Sequence, residues 1–239
     1  MRQSLGFLVG LSAVLALPVA AYADDSHPAA PAANSAAPVV AYVPPMMGAP
    51  EARISGGTRG KTDEPVRLDV LAPDHVGRTW QEQPTLYWFN SIPVKHDIEI
   101  TLIVDKSNET LLDVTLHGPI PAGIHAYSLS GTKAHLQPQT VYQWSVTDQI
   151  SKTEPSEDVV ASGMIERFPA GTFGNPTPEG GLPLAIAFAR AGVWYDAVAA
   201  LSQEIDRKPA DMALRKDRAG LLAQAGLTAP AAFDTPPAN

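Results

Sequence analysis

The segment Ser55-Gly56-Gly57-Thr58-Arg59-Gly60-Lys61-Thr62 comes nearest to a recognisable piece of catalytic machinery. A G-x-x-x-x-G-K-T loop cradles nucleotide phosphates with backbone N–H groups, a lysine and a threonine hydroxyl. Here Ser55 stands in the first glycine position, no strand pattern precedes it, and Pro65 follows where a helix should begin. The segment reads instead as an irregular, glycine-permitted loop with Arg59 folded over it. His117, His125 and His135 fall on or beside neighbouring strand segments and could converge on a metal, but none has an H-x-H or H-x-x-x-H spacing. Asp74-His75 offers two members of a hydrolytic triad in a turn, without the G-x-S-x-G elbow that presents a serine nucleophile. Glu99 and Glu166 are carboxylates on separate strand segments, and a glycosidase pair needs a defined separation that strand position alone does not supply. Without a nucleophile, metal cage or cofactor loop of the right spacing, the reading is a non-enzyme with no cofactor.

The composition narrows the classes further. Residues 1–23 combine Arg2, a short apolar run over 5–17 and an Ala21-Tyr22-Ala23 cleavage signal, which reads as a secretory signal peptide. The remaining chain has 16 Lys and Arg against 25 Asp and Glu, a net charge near −9, which argues against a nucleic-acid partner. There is no cysteine, so neither disulfides nor a lipid anchor on cysteine is expected. No later apolar run has the roughly 18 residues of a membrane span. The expected location is therefore periplasmic or secreted.

The elements that must position any chemistry follow in order. Residues 24–52 are Ala/Pro-rich and read as a disordered linker, with 39–43 apolar enough for a short docking strand. Residues 53–170 form the expected β domain. Seven strands are predicted, at 67–72, 85–90, 98–105, 110–116, 123–130, 141–148 and 158–168. Leu136-Gln-Pro-Gln-Thr-Val-Tyr142 resembles the L-x-P-x-T-x-Y corner of fibronectin type III domains, and Trp88 resembles the core tryptophan of that fold. The fold class is mainly β with a C-terminal α unit: a seven-stranded immunoglobulin- or fibronectin type III-like sandwich, then a tetratricopeptide-like helical hairpin plus one helix.

The helical unit spans 182–227 after a linker at 171–181. Leu184, Phe188 and Ala191 share one helical face; Trp194, Val198, Leu201 and Ile205 share another. Asp211 is placed to cap a third helix carrying Leu214, Leu221 and Ala225, and 228–239 read as a disordered tail. One such repeat is too few for a solenoid, so its apolar faces need the sandwich or a partner. Trp194 and Tyr195 are adjacent and about 100° apart on a helix, so with Trp194 in the core Tyr195 is lateral, either packed against the sandwich, the favoured reading, or displayed to a partner. Tyr195, Tyr87, Tyr127 and Arg59 are the candidate interaction surface.

Taken in order, SGGTRG (55–60), LAPDHVGRT (71–79), QPTLYWFN (83–90), PAGIH (121–125), LQPQTVYQWSV (136–146), VASGMIERF (160–168) and AGVWYDAVAALS (191–202) resemble the bacterial domain of unknown function 928 family. The resemblance implies an exported protein with a β domain followed by a short helical unit, and it carries no catalytic residue across. The expected function is an exported, non-enzymatic protein-interaction or scaffold module with an unknown envelope protein as partner. The alternatives are a carbohydrate- or small-ligand-binding sandwich, with Tyr87 or Tyr127 stacking on sugar, and an enzyme of unrecognised type.

Overall fold

A computed structural model describes residues 40–45, 53–57, 66–151, 153–172 and 180–235. The signal-like segment 1–23, most of the Ala/Pro stretch, and Arg59 with residues 58–65 lie outside the described residues.

The seven expected strands are all present, with one short strand ahead of the first and another between the first and the second. They are β1 (Gly56–Gly57), β2 (Arg67–Val70), β3 (Gly77–Thr79), β4 (Thr85–Asn90), β5 (Ile98–Val104), β6 (Thr110–Leu116), β7 (Gly123–Ser128), β8 (Val141–Asp148) and β9 (Val159–Arg167). They form two open sheets, of order β1-β2-β4-β7 and β3-β9-β8-β5-β6. All named pairings are antiparallel except β3 with β9, which run parallel. The chain thus changes sheet between Val70 and Gly77. β1 and β3 escaped the sequence reading because two or three residues cannot display a period of two.

Alternation on β5 and β8 places Ile98, Ile100, Leu102, Tyr142, Trp144 and Val146 inward. The Tyr142 hydroxyl accepts from the backbone N–H of Gln137 at 2.9 Å. β4 behaves differently, because every residue from Leu86 to Asn90 is buried. Its inward face, with Trp88, meets the other sheet, and its outward face, with Tyr87 and Phe89, meets helices. A continuous apolar run is the mark of a strand covered on both sides, and LYWF is such a run.

The covering helices are α1 (Gly181–Arg190), α2 (Trp194–Arg207), α3 (Met212–Gln224) and α4 (Thr228–Asp234). α2 packs against β3 and β4, and α4 against β7. Phe233 of α4 meets Phe89 edge-on with ring centroids 5.5 Å apart. Sheets and helices share one hydrophobic core. The stretch expected to be a frayed tail is thus helical over 228–234. Its anchor is Asp234, fully buried, which accepts two hydrogen bonds from Arg218 of α3 at 2.6 and 2.7 Å. Asp211 caps α3 as expected, accepting from Ala213 N at 3.0 Å.

The start of α2 is the main joint. Three consecutive side chains spread over an arc of about 200° on a helix, and all three are consumed by the sheets. Trp194 Nε1 donates to Leu71 O at 2.8 Å. The Tyr195 hydroxyl accepts from Trp144 Nε1 and donates to Met164 O, both at 2.9 Å. Asp196 Oδ2 accepts from Trp80 N at 3.1 Å. Gly77 lets this joint close: a Cβ there would sit 2.6 Å from the Tyr195 ring.

Residues 40–45, inside the expected disordered linker, lie against the helices. Val43 N donates to Ala189 O at 3.0 Å, and Gln224 joins Val40 O and Tyr42 N at 2.8 and 2.9 Å. Gly192, at φ +72°, admits this segment, since a Cβ would lie 2.8 Å from Val43 O. Arg53 adds a further tie, its Nη1 donating to Ala72 O and to Ala225 O at the C-terminal end of α3.

Candidate functional site

Of the candidate surface residues, two are interior. Tyr195 is 2% and Tyr87 6% exposed. The cause is the docking of the helical unit: it covers Tyr87 on the outward face of β4, and it drives its own Tyr195 against β3, β8 and β9 of the five-stranded sheet. Desolvation raises both phenol pKa values, so the hydroxyls stay neutral. Tyr127 faces Leu86 across the β4–β7 pair and is half-buried against the core. Tyr87 and Tyr195 are therefore not free platforms for a sugar or a partner.

The three histidines do not converge. His125 lies on β7, its Nε2 bonded to Pro121 O and its ring tilted on Trp88 at 5.3 Å. His117 pairs with Asp97 at 3.3 Å, and His135 with Glu82 at 2.7 Å. Among the described residues, no group of three or more His, Cys, Asp or Glu is disposed to hold a metal ion. Glu99 faces Thr147 and Glu166 faces Val141 on the shared neighbour β8. Six residues of strand separate them by about 20 Å, twice the reach of a two-carboxylate glycosidase site.

Asp74-His75 does find a third member, one that sequence reading missed. Tyr42 OH lies 2.8 Å from His75 Nε2, and His75 Nδ1 lies 3.0 Å from Asp74 Oδ1. The order carboxylate–imidazole–hydroxyl is that of a nucleophile relay. Burial, though, pushes the Tyr42 phenol far above its ordinary pKa, which disarms it as a nucleophile. Its ring stacks on His75 and meets Trp194 edge-on at 4.9 Å. The relay thus fastens residues 40–45 to the sheet–helix joint.

Two clefts open at the surface. One, of about 830 Å³, lies at an end of the five-stranded sheet among His96, Asp97, Glu99, His117 and Asp158. Three of its groups are already engaged, His96 with the buried Asp148 at 3.1 Å, and His117 and Asp97 with each other. Burial raises the Asp148 pKa and the His96 hydrogen bond partly offsets that.

The other cleft, of about 350 Å³, sits at the junction of sheets and helices. Thr79 and Gln81 enter it from the end of β3, Thr85 from β4, Ser128 from β7, and Leu184, Phe188, Asp196 and Gln203 from α1 and α2. Gln83 braces it, its Nε2 donating to Leu129 O, Thr132 O and Ala134 O at 2.9 to 3.2 Å. Phe188 is held edge-on to Trp80, centroids 5.5 Å apart and rings at 81°. Asp196 is the one ionisable carboxylate in the lining. Burial raises its pKa, and hydrogen bonds from Thr79, Trp80 N and Gln81 oppose that shift. Its place in the first turn of α2 also sets it against the helix dipole. Sequence reading could not find this cleft, because its members apart from Asp196 are uncharged, lie between 79 and 203, and repeat at no spacing.

The family model described as Domain of Unknown Function (DUF928) matches residues 54–234. The chain belongs to the DUF928 family. The match runs from the bridge at Ile54 to the end of α4, so the family domain includes both sheets and all four helices. No curated protein matches this DUF928 chain. Among solved structures, a multi-domain immunophilin from Arabidopsis thaliana matches at 9% identity, over 74% of this chain and 97% of that one. Its TM-score is 0.16, too low to carry any argument about the family's fold.

Proposed function

We propose that this DUF928 protein is an exported, non-enzymatic binding module of the cell envelope. The observation that carries the reading is the sheet–helix cleft, whose walls come from β3, β4, β7, α1 and α2 and are held by the joint at Trp194, Tyr195 and Asp196. A rigid concave site with convergent polar groups is the usual form of a small-ligand site. The groups that would do chemistry are otherwise occupied: the Tyr42 phenol is held neutral, and Asp196 secures the start of α2.

The strand order β1-β2-β4-β7 over β3-β9-β8-β5-β6 and the Tyr142–Gln137 corner support a fibronectin type III-like sandwich. The three-residue turn between α1 and α2 supports a tetratricopeptide-like hairpin, here with its aromatic face spent on the sheets.

Ligand-observed NMR with the full chain tests the binding module. Saturation should transfer to a bound ligand whose spectrum stays unchanged over hours, and conversion of that ligand would overturn the non-enzymatic reading. Osmotic-shock fractionation should release the protein with the periplasmic fraction or leave it in the medium; retention with the cytoplasm would remove the export. A second reading, a scaffold for another envelope protein, is favoured by Ile54 and Val160. Both are exposed, and Ile54 pairs with Ser162 two residues along from Val160. Substitution of both by Ser should weaken a cross-linked partner on that reading alone.

A further inference from the structure

We infer that the sheet–helix cleft is a subsite for a neutral saccharide, with Phe188 as its ring platform and Gln81, Gln203, Thr85 and Ser128 as its hydroxyl-reading arms. The inference rests on the binding-module reading and names the ligand class for the same site.

Charge makes the first selection. Among the described residues no lysine, arginine or histidine lines the cleft, and their one carboxylate there belongs to Asp196. An anionic ligand would meet that carboxylate with nothing to offset it, at a site of reduced dielectric where like charges repel strongly. A cation would have a single carboxylate, already bonded to Trp80 N. A neutral ligand meets neither obstacle.

Hydrogen-bond chemistry makes the second. Primary amides and hydroxyls each donate and accept. A sugar ring presents vicinal hydroxyls with the same dual character, so such a lining satisfies them without fixing which partner donates. Gln81, Ser128 and Gln203 are exposed at the mouth, while Thr79 and Asp196 are buried at the floor. Rim and floor can therefore engage opposite edges of one ring.

Shape makes the third. One wall is apolar, built from Leu184, Phe188, Ala199 and Ala200. Phe188 is half-buried and fixed in orientation by Trp80. The axial C–H face of a pyranose is apolar and packs on an aromatic ring, while its hydroxyls point outward to the polar wall. A volume of about 350 Å³ is at the small end for ligand sites and matches one or two sugar rings rather than a long chain.

The test uses isothermal titration of the full chain with maltotriose, cellotriose, chitotriose and mannotriose, and with a neutral Ser/Gln tetrapeptide and an oligogalacturonate beside them. At least one neutral trisaccharide should bind, the oligogalacturonate should not, and Gln203→Ala should weaken binding by about tenfold. Gln203 is exposed on α2, so its loss leaves the fold intact, and Phe188→Leu should weaken binding while keeping the wall apolar. Saccharide binding that neither substitution alters overturns the inference. Tetrapeptide binding sensitive to Gln203→Ala, with no saccharide bound, overturns the saccharide assignment and leaves the binding module standing. Silence from every probe overturns the assignment too; the binding module then stands or falls on whether ligand-observed NMR finds any other compound in the cleft.

Discussion

Replacement of Tyr195 by phenylalanine isolates the joint between helices and sheets. The hydroxyl accepts from Trp144 Nε1 and donates to Met164 O, each at 2.9 Å, and both tryptophan and tyrosine side chains are buried. The ring itself stays, wedged against Gly77, so packing changes little. What remains is a buried indole N–H without an acceptor and a carbonyl that has lost one donor. A stranded buried donor costs about 1–3 kcal/mol, so the substitution should destabilise by about 2–3 kcal/mol in all. For a chain of this size that lowers Tm by about 5–10 °C. Urea unfolding followed by tryptophan fluorescence and by far-UV circular dichroism measures it, and the two probes should coincide because sheets and helices share one core. Trp144→Phe completes a double-mutant cycle. With the indole N–H gone, Tyr195→Phe should cost less, giving a coupling of about 1–2 kcal/mol. A Tyr195→Phe protein within about 0.5 kcal/mol of the parent would refute the reasoning, because that is the range of an uninvolved surface position. Helices unfolding well before the sheets would refute it in another way.

Arg218→Ala should cost about 3 kcal/mol by leaving the buried Asp234 carboxylate with only the longer 3.7 Å contact to Arg215; hydrogen exchange should show α4 losing protection first, and an α4 as protected as before would contradict the anchor. Tyr42→Phe removes the hydrogen bond to His75 and should cost about 1 kcal/mol, with faster exchange confined to residues 40–45; unchanged exchange there would show that the relay fastens nothing. The pH dependence has a definite sign. The folded-state pKa of Asp196 is raised, chiefly by burial, so the folded chain holds its proton more tightly than the unfolded one. That contribution to stability is complete below the ordinary carboxylate pKa and is lost as pH climbs through the raised folded value. Asp196→Asn should therefore flatten the fall in Tm on going from acid towards neutral pH, and a parallel pair of profiles would contradict the burial argument.

How much could be read from the residues varied with range. Alternation placed the seven longer strands to within two residues, since a period of two is set by the strand itself. The Tyr142 corner was legible because a hydroxyl reaching back five residues is a local event. β1 and β3 were not legible, being pairings that exist only because β2 and β9 are there to receive them. Tyr87 was misplaced, and Tyr195 left open between the sandwich and a partner, for a related reason: a tyrosine in a short stretch of sequence looks the same whether it faces water or another element. The run Leu86-Tyr87-Trp88-Phe89 held the clue, as a strand with no polar alternate has no wet face. The Tyr42–His75–Asp74 relay joins positions 33 residues apart, and its hydroxyl lies in an Ala/Pro-rich stretch where composition offered no more than a short docking strand at 39–43.

The amino-acid sequence alone determined the strands, the helical periods and the absence of a local catalytic motif, because each is written in residues close along the chain. It also carried family membership, through short segments in a constant order. The tertiary structure alone decided that the helices cover the four-stranded sheet, that their aromatic residues are interior, and that a polar cleft opens where they meet. Those outcomes depend on which apolar faces find one another over long separations, as Phe233 does with Phe89, 144 residues away. Hydrophobic burial is non-directional, so a face that needs covering does not name its cover. Only the docked geometry, fixed by hydrogen bonds at Trp194, Tyr195 and Asp196, makes that choice.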